Sequence, residues 1–420
     1  MSKHHHKRTT CRLCDSAELD LVVPITATPV ADAYVPKELL NEEQECFPLD
    51  LYQCRACKHV QLLDVVDPEV LFRHYSYFTG RTGGLLKHFE DYAERVIRRN
   101  NIPTGSRVLD IGSNDGTFLS FFKARGMQVL GVDPAKNIAQ KANESGIETL
   151  PEFFNSAIAA KIRAERGPAK IVSANNVFAH TDDMGGMADA VCTMLDDDGV
   201  FVFEVSYLVD VVEQMLLGTI FHEHVCYHSV IPLDAFLRRH GMELIHVERV
   251  GIQGGSIIGT AQRLGGPRPI DGSVAELKQL EETSRIHDPA TLKAFSDKIE
   301  TVRQGVTELV SKLHADGKTI AGFGAARSGT FLIYHFNLGK ILDFIVDDSP
   351  DKQSLFSPGY HIPVYPTSEM YARKPDYVFI LAWVHSKAIA KNHQRYIDGG
   401  GKFITCFPSI QVVTPESPLV

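Results

Sequence analysis

Three clusters of residues in this 420-residue chain have the types and spacing to do chemistry. The first is the pair of knuckles Cys11-Arg-Leu-Cys14 and Cys54-Arg-Ala-Cys57. Each C-x-x-C can place two thiolates on one tetrahedral ion. Zinc accepts four sulfurs, and a closed four-thiolate shell leaves no position for a substrate, so the role expected is structural. Unligated surface thiols are the other reading of the same residues. Cys46 is the spare thiol of this region, expected to be buried rather than ligating. The second cluster is Asp110-Ile-Gly112-Ser-Asn114-Asp-Gly116, a glycine turn after the apolar run Arg107–Ile111. The third is His222-Glu223-His224-Val-Cys-Tyr227-His228, with His180 upstream. His224 and His228 have the spacing of a zinc-protease helix but lack the glutamate directly after the first histidine. An imidazole beside a carboxylate fits proton abstraction instead, because it titrates near neutrality and the carboxylate orients it and raises its basicity.

The elements that must position these groups follow from the apolar runs. Arg107–Ile111, the glycine turn, an amphipathic stretch and Val129–Asp133 make a strand-helix-strand unit. Asp133 then ends the second strand, where a carboxylate can accept both ribose hydroxyls. The glycines read G-x-x-x-G, not the dinucleotide fingerprint, so an adenosine without a pyrophosphate is the expected occupant; an NAD-binding domain is the alternative. Strands are expected at Ile171–Val177 and Gly199–Val205, and a closing antiparallel hairpin at Leu244–Val250 and Ser256–Arg263. Phe295, Ile299, Val302, Val306, Leu309 and Leu313 recur at steps of four and three, which marks the packing face of a helix. A second glycine turn, Gly322-Phe-Gly324-Ala-Ala-Arg327-Ser328-Gly329, precedes a strand that ends at Asp347. Arg327 stands where a dinucleotide site has its third glycine. Backbone N–H groups at the following helix, with the Arg327 fork, Gly324 and Ser328, suit an anion such as a nucleotide diphosphate; a scaffold role is the alternative.

Composition narrows the classes. A net charge of -9 argues against a nucleic-acid partner, which calls for a strongly basic face. No run of about 18 uncharged apolar residues is present, so no membrane span is expected. The polar start Met-Ser-Lys-His-His-His-Lys-Arg lacks the apolar middle of a secretory signal, and a cytoplasmic location is the expectation. His4, His5 and His6 are assigned no function.

The order of glycine turn, strands and closing hairpin resembles the class I S-adenosylmethionine-dependent methyltransferases. That resemblance implies that Asp110, Gly112, Asn114 and Gly116 line the methionine end of the cofactor, that Asp133 takes the ribose, and that Asn175 lies near the adenosine or methyl end. The whole set of motifs is similar to the sugar C-methyltransferases of deoxysugar biosynthesis: two knuckles, G-S-N-D-G, N-V-F-A-H, H-E-H with a following tyrosine, the G-F-G-A turn, Asp347-Asp348 with Pro358–Val364, and Leu381-Ala-Trp383. The fold implied is α/β, with a zinc-binding lobe over residues 1–75, a Rossmann-like methyltransferase domain over 76–270, and a helical linker with a Rossmann-like substrate domain over 271–420. The activity implied is methylation at carbon 3 of a dTDP-4-keto-6-deoxysugar through an enolate. His224 would be the base and Glu223 would orient it or the sugar. His180 with Tyr75 or Tyr77 would line the pocket, and His222 would face the substrate. Zinc and S-adenosylmethionine are the implied cofactors and a nucleotide sugar the small-molecule partner, in a monomer or weak homo-oligomer. Two positions depart from the family pattern. Phe221 replaces the tyrosine before H-E-H, and Arg327-Ser328 stands where the third-domain turn has a lysine. Either Tyr227 or His228 substitutes for the missing hydroxyl, or the substrate differs. Methyl transfer to oxygen or nitrogen of another metabolite, and a non-catalytic cofactor-binding module, are the rival readings.

Overall fold

Short β-branched and aromatic runs bounded by glycine, proline and acidic turns become strands throughout this chain. The computed structural model describes residues 4–72 and 83–419. They fall into two compact units that do not follow chain order. The first contains residues 1–20, 52–210 and 223–287; the second contains 21–51, 211–222 and 288–420.

In the first unit, β1 (His5–Lys7) is followed by β2 (Leu19–Val23), β3 (Leu51–Cys54), β4 (Val60–Leu62) and β5 (Asp64–Val66). The unit boundary runs through β2 and β3. The histidine tract that was assigned no function is part of the fold. His5 pairs with Val66 in the β1–β5 ladder, and its ring nitrogen lies 2.9 Å from Asp64.

The main sheet of this unit uses β6 (Arg107–Ile111), β7 (Gln128–Val132), β8 (Thr149–Leu150), β9 (Ala169–Asn175) and β10 (Leu195–Ser206). After the short β11 (Cys226–Tyr227), it is completed by β12 (Met242–Val250) and β13 (Ser256–Arg263), in the order β12-β13-β10-β9-β6-β7-β8. The pairs β9–β6, β6–β7 and β9–β10 are parallel, whereas β13 runs antiparallel to β10 and β12, as the expected closing hairpin requires. Strand order reverses about β6, and ligands of open α/β sheets bind outside the carboxyl ends of the strands at such a point.

On one face of this sheet Val108, Ile171, Val200, Val202 and Ile258 pack against the helix Gly83–Arg99 and the helix Thr117–Lys123. Phe89 and Tyr92 meet Phe118 at ring distances of 5.0 and 5.1 Å. Toward the strand ends the same face turns polar, because Asp110 and Ser173 share a register position, as do Asn175 and Glu204. Side chains alternate across a strand, so these groups continue the column begun by Val108, Ile171 and Val202.

The helix Gly272–Thr283 belongs to the first unit, and a buried carboxylate anchors it. Glu281 accepts N–H groups of Val230 and Ile231 at the start of the helix Val230–Arg239, whose N-cap Ser229 makes no side-chain cap. It also accepts the Tyr207 hydroxyl at 3.0 Å and faces His287 Nε2 at 3.2 Å. A negative charge on orphan N–H groups is the favourable arrangement at a helix start. Glu281→Ala should therefore cost roughly 3 kcal/mol in urea unfolding, since several buried donors lose a charged acceptor, with a smaller loss for Glu281→Gln.

Nearby, His59 and His228 lie 5.6 Å apart with no exposed surface, and the His228 ring stacks on Phe178. Burial holds His59 well below the ordinary histidine range and pulls His228 down to about 4. Each is neutral in the folded chain, whereas the unfolded chain takes up a proton near pH 6.5. Their contribution to stability is complete above about pH 6.5 and is lost as pH falls toward 4. The Tm difference between pH 7 and pH 5 should accordingly shrink in His228→Asn.

The second unit holds a six-stranded sheet. Its strands are β14 (Ile320–Phe323), β15 (Ile345–Asp347), β16 (Val364–Pro366), β17 (Tyr377–Ile380), β18 (Lys402–Thr405) and β19 (Gln411–Val413). The order is β16-β15-β14-β17-β18-β19, parallel except for β19. The helix Pro289–Ala315 buries Phe295, Ile299, Val302 and Val306 as the sequence predicts. Val310 takes the next inward position rather than Leu309 or Leu313, and Leu292 extends the stripe at the start. A straight helix turns 3.6 residues per turn, and the buried positions follow it.

Candidate active site

The four knuckle cysteines converge as their spacing predicts. All four sulfurs lie within 4.8 Å of one another, with Cys11–Cys57 at 3.6 Å and Cys14–Cys54 at 3.5 Å. A tetrahedron of thiolates about 2.3 Å from zinc has edges of about 3.8 Å, so the cluster fits that ion. The Cys11 thiol is pulled down to about 5, chiefly by its contact with Cys57, and the Leu13 N–H also points at its sulfur. Cys46 departs from expectation. It is exposed, lies in the second unit, and contacts the Tyr334 hydroxyl.

At the first glycine turn three alternate residues adopt left-handed backbone: Gly112 at φ 65°, Asn114 at 50° and Gly116 at 78°. A Cβ on Gly112 would stand 2.3 Å from Val177 Cγ2, so the missing side chain lets the β9 exit, which leads to His180, close on the turn. Asp133 braces this turn. Its two oxygens accept the N–H groups of Asn114 and Ala135, each at 2.9 Å, which leaves one lone-pair direction on each oxygen for a ribose hydroxyl. Burial raises the Asp133 carboxyl, and those two N–H donors oppose the rise. Asp110 is enclosed and pushed up to about 7 by burial, the Ser173 hydroxyl at 2.6 Å opposing and the Asp133 charge adding. Both polar ends of the Asn175 amide and the Ser113 hydroxyl are buried with no hydrogen-bond partner among the described residues. A buried amide costs free energy unless it is paired. Unsatisfied groups around a glycine turn at the sheet's reversal point fit a polar cofactor of the adenosyl type.

Two groups here carried no sequence signal. His88, on the helix Gly83–Arg99, contacts Glu204 at 2.7 Å, and Glu204 is buried at the end of β10 beside Asn175. An acidic residue inside the run Val200-Phe-Val-Phe-Glu204-Val is the one feature that could have drawn attention to it.

The histidine segment divides. Phe221 and His222 belong to the second unit, Glu223 and His224 to the first. His180 and His224 stack with ring centroids 5.0 Å apart, and Phe72 also stacks on His180 at 5.7 Å. Glu223 is buried beside this pair in sequence. Tyr75 and Tyr77 lie outside the described residues. His222 is buried in the second unit, its Nε2 3.1 Å from the Phe47 carbonyl and its ring edge-on to Phe47. Tyr227 and His228, the two substitutes expected for the missing hydroxyl, sit in the core instead. Tyr227 is 1 % exposed on β11 opposite Val60, and burial raises its phenol well above the ordinary range. His228 directs Nε2 at the Phe178 carbonyl, 3.4 Å away.

In the second unit the same turn-bracing device recurs. Asp347 accepts the N–H groups of Ala325 at 2.6 Å and Ser349 at 2.7 Å. Gly324, at φ 100°, has no room for a Cβ, which would lie 2.6 Å from that of Ala382. Ser328 turns its hydroxyl toward the Leu381 carbonyl at 3.4 Å rather than outward. Arg327 starts the helix Arg327–His335, lies over the Phe221 ring at 5.3 Å and stands 4.0 Å from Asp32. The aromatic face that replaces a tyrosine is therefore a platform for this guanidinium.

Among the described residues no helix is long and apolar enough to cross a membrane. Three family models match in succession: a zinc binding domain over residues 11–72, a methyltransferase domain over 85–247, and the C-methyltransferase C-terminal domain over 251–408. The C-methyltransferase NovU of Streptomyces niveus is 34% identical over 410 residues, covering 97% of this chain and 98% of that protein. The ubiquinone biosynthesis O-methyltransferase of Idiomarina loihiensis is 30% identical over 123 residues, 29% of this chain and 50% of that protein. Among solved structures, an S-adenosylmethionine-dependent methyltransferase from Clostridium acetobutylicum overlays 42% of this chain and 92% of its own at 12% identity, with a TM-score of 0.35. With a knuckle cluster that fits zinc, a glycine turn that fits the adenosyl cofactor and near-full-length likeness to a C-methyltransferase, this chain belongs to the C-methyltransferase family and is a zinc-binding, S-adenosylmethionine-dependent methyltransferase.

Proposed function

We propose that the enzyme methylates carbon 3 of a dTDP-linked 4-keto-6-deoxysugar through an enolate, with His224 as the base. The observation that carries this reading is the stacked pair His180–His224, in the same unit as the cofactor turn and on a segment that Gly112 lets approach it. Bound S-adenosylmethionine supplies an electrophilic methyl group. His224 takes the proton from the carbon next to the ketone, and His180 holds the imidazole plane and stabilises its charged form. Glu223 orients the base or the sugar. Once the carbon is nucleophilic, the protein needs only to align it with the methyl group and exclude water. Asp110, Gly112, Asn114, Gly116, Asp133 and Asn175 are assigned to the cofactor. Gly324, Arg327 and Ser328 are assigned to the nucleotide diphosphate, with the exposed part of the Arg327 fork as the cationic group, and Asp347 is assigned to the substrate. His222 remains assigned to the substrate, through the placement of the Phe47 segment.

Methyl-labelled cofactor and a dTDP-4-keto-6-deoxysugar test this reading by product NMR. A label bonded to carbon 3 supports it, whereas a label on oxygen would favour the rival O-methyltransferase. Cofactor affinity carries a further expectation. An Asp110 carboxyl near pH 7 loses its charge below that pH and with it the attraction for the cationic cofactor. Calorimetric affinity should therefore rise between pH 6 and pH 8, by at most about tenfold per unit, and Asp110→Asn should flatten the rise.

A further inference from the structure

We propose that Arg12, which lies inside the first cysteine knuckle, is a positioning residue that ties the zinc-binding lobe to the histidine pair. Its side chain has no exposed surface, and it reaches out of the lobe to both segments that carry the histidines. Nε donates to Asp182 Oδ1 at 3.0 Å, two residues beyond His180. Nη1 donates to the Gln61 amide oxygen at 3.1 Å, to the Leu62 carbonyl, and at 3.4 Å to the carbonyl of Val225, the residue after His224. The Arg12 backbone N–H also uses the Gln61 oxygen, at 3.1 Å.

The surrounding backbone joins the same parts. Gln61 faces Cys226 in the β4–β11 ladder, Leu62 N–H donates to Val225 O at 3.0 Å, and Cys226 N–H donates to Ala179 O at 3.1 Å. His180 is thus bracketed by Ala179 and Asp182, and His224 is fixed by the bond to the residue that follows it. Arg8 adds a bond from Nη1 to Asp182 Oδ1 at 3.2 Å, and His6 stands 3.3 Å from the other Asp182 oxygen.

Cys11 and Cys14 would both be held by a metal closed by four thiolates, and between them the Arg12 backbone, so the guanidinium would start from a fixed point. A guanidinium is a planar fork that serves several acceptors at set angles, which a lysine ammonium cannot reproduce. Misplacing a reacting group by about 1 Å can cost about a hundredfold in rate. The lobe therefore acts on the reaction through geometry, with no substrate position at the metal.

The proposal rests on His224 as base, and Arg12→Lys and Asp182→Asn test it in the full chain. Both should retain one zinc per chain by metal analysis and bind S-adenosylmethionine within about twofold of wild type, while kcat falls about a hundredfold and the cofactor KM holds. In chains labelled at histidine carbons, the imidazole signals of His180 and His224 should shift in both variants. Wild-type rates and unshifted imidazole signals in zinc-loaded Asp182→Asn would overturn the proposal, and so would loss of zinc or of cofactor binding in that variant, which would make the contact a folding element. The imidazole signals need no sugar. A wild type inactive on every keto sugar whose variants still shift those signals would sink the substrate assignment and leave the coupling standing.

Discussion

His224→Asn is expected to lower kcat for C-methylation by roughly three orders of magnitude, with cofactor affinity by calorimetry unchanged. Among the described residues, Tyr227 is enclosed on β11 and His228 is stacked on Phe178, so neither is placed to replace the imidazole that stacks on His180. Asparagine preserves bulk and polarity but cannot accept a proton near neutral pH. His180→Asn should cost less, because it removes the stacking partner and not the base. A His224→Asn enzyme that turns over at the wild-type rate would contradict the role given to this residue.

Cys54→Ser should bring the second large effect, the loss of the zinc-binding lobe. Three thiolates and a hydroxyl no longer match four sulfurs within 4.8 Å of one another, and structural zinc contributes its binding free energy directly to folding. Zinc content should fall below one per chain and Tm should drop by roughly 10 °C or more, with a similar drop when wild type is treated with a strong chelator. Cys46→Ser is the control: its thiol is exposed in the second unit, and zinc content should not change. Retention of full zinc by Cys54→Ser would show that this sulfur is not a ligand.

Much of this was legible because some local chemistry admits few solutions. Two C-x-x-C pairs can converge on one ion whatever the chain between them does, and here residues 21–51 leave for the other unit without disturbing the cluster. A strand followed by G-x-x-x-G demands left-handed backbone, so the cofactor turn was visible in Gly112 and Gly116. Spacing carries no information on which distant segments meet. Nothing in His222-Glu223-His224 says that the chain passes from one unit to the other between His222 and Glu223. Tyr227 is polar enough to suggest catalysis, yet the β4–β11 pairing turns it into the core. Asp347 has the place of a ribose ligand, and spacing alone does not show that its two oxygens also brace the turn by accepting the N–H groups of Ala325 and Ser349. Glu204–His88 and Glu281 with the Val230–Arg239 helix are pairs between residues remote in sequence, and single buried acids in apolar or helical runs gave no periodic sign of their partners.

The central claim is that His224 makes a carbon nucleophile next to a ketone. Solvent deuterium exchange at carbon 3 of a dTDP-4-keto-6-deoxysugar, followed by NMR with wild type and His224→Asn in parallel, tests it most directly. Exchange in the wild type that is absent in the variant is the result expected. Methyl transfer to carbon with no wild-type exchange, or with equal exchange in both proteins, would contradict it.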